Sequence, residues 1–148
     1  MSMVTKALKR CEKLTDEQRV QMFMESFSKV LDVTNSIVKD KPKALAITLN
    51  IVFYSVAADG KLVPEEFALV QFLLEKATGE KYPFSEVKKL IENAGDPNDQ
   101  IDYIRKYFLL VDDYGEEAGV AFICLIMSVL SIDGDVSYRE KKWMNKIF

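Results

Sequence analysis

Apolar residues recur along this chain at steps of three and four, the spacing of one helix face, and no stretch sustains the alternation of a half-buried strand. The fold is therefore expected to be all-α. After Thr15, the residues Val20, Phe23, Met24, Phe27, Val30, Leu31, Thr34, Ile37 and Val38 share one face, and Thr15 with Gln18 makes a capping-box start. Val4, Ala7, Leu8, Cys11 and Leu14 predict a shorter amphipathic helix upstream. Pro42 then opens a helix over about 43–58 that is apolar nearly all round, as central buried helices are. The chain turns at Asp59-Gly60. Pro64 suits the first turn of a helix carrying Phe67, Val70, Leu73, Leu74 and Ala77 and stopping near Gly79. A short helix over about 85–93 follows, and Asp96-Pro97 caps another, lined by Ile101, Ile104, Phe108 and Val111. This one runs into an acidic turn, Asp112-Asp113-Tyr114-Gly115. A second all-round apolar helix is predicted over 116–132 and a last one over 137–148, carrying Trp143, Met144 and Ile147. The pattern predicts about eight helices in one domain spanning 1–148.

Composition narrows the chemistry. With 148 residues, 49% of them hydrophobic, the chain buries a sufficient core without disulfide or metal. It contains no histidine, which excludes Ser-His and Cys-His nucleophile pairs and histidine-containing zinc sites. Cys11 and Cys124 are far apart in sequence, so no CxxC motif or cysteine metal cluster is expected. Cys124, inside an apolar run, is expected to be an inert buried thiol, and Cys11 to be exposed. The six methionines are scattered and form no evident soft-metal motif. Phe23, Phe27, Phe53, Phe67, Phe72, Phe108, Phe122 and Trp143 are expected in the core.

Twenty basic against 23 acidic residues leave a net charge of −3, with no basic tract that would track a phosphate backbone, so nucleic acid is not an expected partner. The most apolar segment, 118–130, is too short for a bilayer span. MSMVTKALKR lacks the apolar stretch of a signal peptide, and a cytoplasmic location is expected. The acids Asp112, Asp113, Glu116 and Glu117 cluster; they are expected to be helix-dipole partners at a helix N-terminus, an alternative metal cluster, or a docking surface for a basic protein partner.

Placing Asp59 over Asp133 aligns two halves of the chain, SVAADGKLVPEEFALV and VLSIDGDVSYREKKWM. Each has an apolar helix ending in Asp-Gly, an aliphatic residue (Leu62, Val136) and a Glu (Glu66, Glu140) seven positions after the Asp. The spacing equals the second half of an EF-hand loop. The first half is missing: Ser55 and Ala57 in one copy, and Val129 and Ser131 in the other, stand where ligands would be. Neither segment alone supplies the six to eight oxygens calcium takes.

The two copies, AADGKLVPEE and SIDGDVSYRE, each following an apolar helix and opening an amphipathic one, resemble the TerB family of tellurite-resistance proteins. The resemblance covers 43–148, leaving the amphipathic helices of 1–40 outside it. It implies two related helical halves and a non-enzymatic role in bacterial stress responses to metal or oxyanion toxicity. The domain would act as a divalent-metal-binding or protein-docking module. Related domains occur attached to membrane-anchored DnaJ-like co-chaperones. Around the motif this chain departs from the family's acidic character, with Lys61, Arg139, Lys141 and Lys142.

Two readings of the motif follow. In one, Asp59 and Asp133, with Glu66, Glu140 and Asp135, converge on an oxygen-rich site suited to calcium, magnesium or manganese. In the other the Asp-Gly pairs are turns, Ser137 with Glu140 is a capping box, and Glu66 answers the positive end of its helix. The domain is then a structural scaffold. A carboxylate-dependent enzyme is the weaker alternative, since paired carboxylates can do acid–base work. The helices of 1–40 are expected either to pack on the core or to mediate a homodimer.

Overall fold

The computed structural model describes residues 3–58, 62–132 and 136–148, with side chains from Leu8 onward. Among these residues there are eight helices and no strand: α1 (Met3–Glu12), α2 (Asp16–Val38), α3 (Lys41–Val56), α4 (Pro64–Thr78), α5 (Phe84–Asn93), α6 (Pro97–Tyr114), α7 (Glu116–Leu130) and α8 (Tyr138–Ile147).

Local chemistry explains where these helices begin. The Thr15 hydroxyl accepts from the Gln18 N–H at 3.1 Å while Gln18 Oε1 accepts from the Thr15 N–H at 2.9 Å. Asp96–Asp99 and Ser137–Glu140 make the same reciprocal pair at α6 and α8. Each satisfies two donors a helix start leaves open. Asp40 caps α3 by accepting from the Lys43 N–H, so Pro42 sits inside the first turn and α3 starts before residue 43. At the other end of α2, Lys39 adopts a left-handed conformation, φ 54°, the geometry usually left to glycine. Gly79 does so after α4, at φ 77°.

The two all-round apolar helices are the centre of the molecule. Every residue of α3 from Ile51 to Val56 is buried, and so is every residue of α7 from Leu125 to Leu130. Their hydroxyls are satisfied within the helix: Thr48 donates to the Ala44 carbonyl, Ser55 to Ile51 and Ser128 to Leu125, which removes the cost of burying them. Helix α7 packs against α1, α2, α3 and α6, most extensively against α2, and α2 also lies on α3, α4 and α6. Phe23 and Phe27 of α2 stack at 5.7 Å, and Phe122 of α7 meets Phe108 of α6 at 5.5 Å. The amphipathic helices of 1–40 thus pack on the rest of the chain.

Phe72 departs from the expected core. It is 56% exposed, because α4 turns Phe67, Val70 and Leu74 inward and leaves Phe72 on another face, with the Lys76 ammonium 5.0 Å over its ring. Cys11 departs in the opposite sense. It is buried because α1 lays Leu8 and Cys11 onto the body of the protein.

A buried arginine fastens α1. Arg19 is 6% exposed; its Nε donates to the Cys11 carbonyl at 3.3 Å and one terminal nitrogen to the Glu12 carbonyl at 2.7 Å. The other terminal nitrogen meets Asp16 Oδ1 at 3.1 Å. A guanidinium there satisfies open carbonyls and complements the negative end of the α1 dipole. Lys141 of α8 reaches Glu12 Oε1 at 3.8 Å from the other side.

Candidate functional site

The two segments aligned by sequence share more than their letters. Helix α3 ends at Val56 and α4 begins at Pro64; α7 ends at Leu130 and α8 begins at Tyr138, the same spacing 74 residues further on. The backbone bonds repeat at this offset. Ala57 N–H donates to Phe53 and Ala58 to Ser55 in the first segment, Ser131 to Met127 and Ile132 to Val129 in the second, and Phe67 to Val63 is matched by Lys141 to Ser137.

Glu66 and Glu140 occupy equivalent first-turn positions of α4 and α8, and the structure brings them to the walls of one small cavity. Ser55 and Val56 at the end of α3, Val129, Leu130 and Ile132 around the end of α7, and Val70 complete its lining. Its volume is about 10 Å³, room for about one water-sized particle. The negative ends of α3 and α7, the positive ends of α4 and α8 and two half-buried carboxylates meet there. Each carboxylate also has local work. Glu140 Oε1 accepts from the Ser137 N–H at 2.9 Å, so the expected capping box is present, and Glu66 lies in the acidic first turn of α4 behind Pro64.

Asp59, Asp133 and Asp135 lie outside the described residues. Among the described residues no three His, Cys, Asp or Glu side chains group as a metal site. For the pair Glu66 and Glu140 the fit to a cation therefore rests on the shared cavity.

The acidic cluster is placed differently from a helix N-terminus. Helix α6 continues through Tyr114, so Asp112 and Asp113 lie in its last turn, while Glu116 and Glu117 open α7. All four are exposed. Acids suit the α7 start but oppose the α6 end. Asp112 leans over the one buried glycine of α7: a Cβ at Gly119 would stand 2.2 Å from Asp112 Oδ1.

The cysteines are the residues sequence reasoning misplaced. The Cys11 thiol lies 3.9 Å from the Met127 sulfur, and half-buried Cys124 is one turn before Met127 on α7. Burial pushes the Cys11 thiol above its ordinary pKa, the Cys124 thiol adds to the rise, Arg19 opposes it and Glu12 adds again. Burial likewise raises Cys124. The signal available beforehand was the three-residue spacing of Cys124 and Met127, which puts both on neighbouring positions of one helix.

A groove of about 490 Å³ lies between the end of α3 and the starts of α4 and α6, with Trp143 at its wall and Lys88 and Glu92 of α5 at its edge. Among the described residues no helix is long and apolar enough to cross a membrane. No family model, no curated protein and no solved structure matches this chain.

Proposed function

We propose that the protein is a non-enzymatic, TerB-like module that acts by docking to protein partners in a cytoplasmic stress response, with weak divalent-metal binding between its two Asp-Gly segments. The observation that carries this reading is the meeting of Glu66 and Glu140 in one cation-sized cavity, at positions 74 residues apart in segments with the same helix boundaries and backbone bonds. Such equivalence is what an internal repeat produces. Glu66 and Glu140 would hold a calcium, magnesium or manganese ion by their carboxylates, with Asp59 and Asp133 supplying further oxygens, as hard cations require.

The acidic surface formed by Asp112, Asp113, Glu116 and Glu117 is the docking face this reading assigns to a basic partner. All four are exposed, and Asp112 and Asp113 sit against the helix dipole, a placement that local stability does not account for. The second reading, a scaffold in which the repeat is structural only, is favoured by the Ser137–Glu140 capping box.

Thermal melting of chelator-stripped protein with each of the three ions separates the two. A ligand that binds only the folded state raises stability by about 2.7 kcal/mol at one hundred times its Kd. The metal reading expects a saturable rise lost in Glu66→Gln and Glu140→Gln. Glutamine at Glu140 can still complete a capping box, so the change removes the charge and not the cap. No shift at millimolar metal would leave the scaffold reading standing.

A further inference from the structure

The geometry points to a second, sulfur-only metal site, independent of the carboxylate cavity, in which Cys11, Cys124 and Met127 bind a soft monovalent d¹⁰ cation of the copper(I) class. The Cys11 and Met127 sulfurs set its shape. Cys11 Sγ and Met127 Sδ are 3.9 Å apart. Two sulfurs at that distance, each bonded at about 2.3 Å, subtend roughly 115° at a shared ion, close to a trigonal angle. Cys124 is placed as the third donor. It precedes Met127 by three residues on α7, a neighbouring position on the same helix face.

Donor chemistry selects the ion. Thiolate and thioether sulfur suit copper(I), whereas hard divalent ions want oxygen and structural zinc wants four ligands. Binding replaces the Cys11 S–H···S contact by two metal–thiolate bonds, with one proton leaving each cysteine. One positive ion and two thiolates leave a single negative charge. The buried Arg19 guanidinium, bonded to the Cys11 carbonyl, lies beside it and offsets that charge. Access is also present: Cys124 lines a groove of about 380 Å³ between α2 and α7.

The test titrates reduced full-length protein, without oxygen, with copper(I) held by a chromophoric chelator, and with silver(I) as a redox-inert substitute. One ion per chain is expected, with release of two protons and an X-ray absorption edge and fine structure showing sulfur ligands alone. Met127→Leu keeps the core volume, and Cys11→Ala and Cys124→Ala remove the thiols. Each should weaken binding by more than the roughly 10- to 100-fold that losing an outer-shell partner costs, with far-ultraviolet circular dichroism unchanged. Wild-type affinity in Met127→Leu or in Cys11→Ala would overturn the site, as would a loss confined to Cys124→Ala, which describes a solitary half-exposed thiol.

Discussion

Replacing Arg19 by methionine keeps most of the buried stem and deletes the guanidinium, so it isolates what the two carbonyl contacts contribute. Hydrogen bonds from a charged donor each contribute about 1.5–3 kcal/mol net. Those at Cys11 and Glu12 are 3.3 and 2.7 Å, so the longer one counts for little and the loss is set at about 2–3 kcal/mol. The Asp16 contact adds almost nothing, because Asp16 is exposed and surface ion pairs are worth about 0–1 kcal/mol. Against this stands what else holds α1, chiefly Leu8, whose full burial contributes about 1.5–3 kcal/mol. The two quantities are equal in size, so Arg19→Met is expected to release α1 locally and leave the other helices folded. Hydrogen-exchange mass spectrometry should find α1 amides exchanging near the unprotected rate while α3 and α7 stay protected, and Cys11 should become alkylatable. Wild-type protection of α1 with an unreactive Cys11 would refute the reasoning.

Three further outcomes follow from other contacts. Lys39→Gly relieves the left-handed backbone after α2 and should stabilise by about 0.5–1 kcal/mol, a rise of roughly 1–4 °C in Tm. Ser137→Ala removes the α8 cap and should cost about 1 kcal/mol by denaturant melt, whereas Glu140→Gln should cost less because the box can re-form. Stability should also fall in alkali. Burial raises the folded pKa of Cys11 and Cys124, so above about pH 8.5 the unfolded thiols ionise first, the folded state holds more protons, and ΔG of unfolding decreases as pH rises. Cys11→Ala with Cys124→Ala should flatten that slope; an unchanged slope in the double variant would remove the thiols as its cause.

Much of the fold is legible because its determinants are local. Thr15 with Gln18, Asp96 before Pro97 and Ser137 with Glu140 announce helix starts within four residues, and the apolar runs around Ile51 and Leu125 announce central helices. The departures come from contacts across long separations. Nothing near Arg19 says that its guanidinium turns inward, since the carbonyls that receive it belong to the preceding helix end. Cys11 and Met127 are 116 residues apart and nothing local joins them; the docking of α1 on α7 brings their sulfurs together. Phe72 reads as core by residue type, yet the face of α4 decides. For the candidate carboxylate site, the pairing of Glu66 with Glu140 follows from the 74-residue offset once the ends of α3 and α7 are known to meet.

The position of α2 has a consequence for synthesis in the cell. Its apolar face, with Phe23, Phe27 and Val30, is covered most extensively by α7, and 78 residue positions separate Val38 from Glu116. At about 5–20 residues per second, roughly 4–16 s pass between the completion of one helix and the first residue of its main partner. During that interval only α3, α4 and α6 are available to cover α2, and the nascent chain waits for the helix that buries the rest of it.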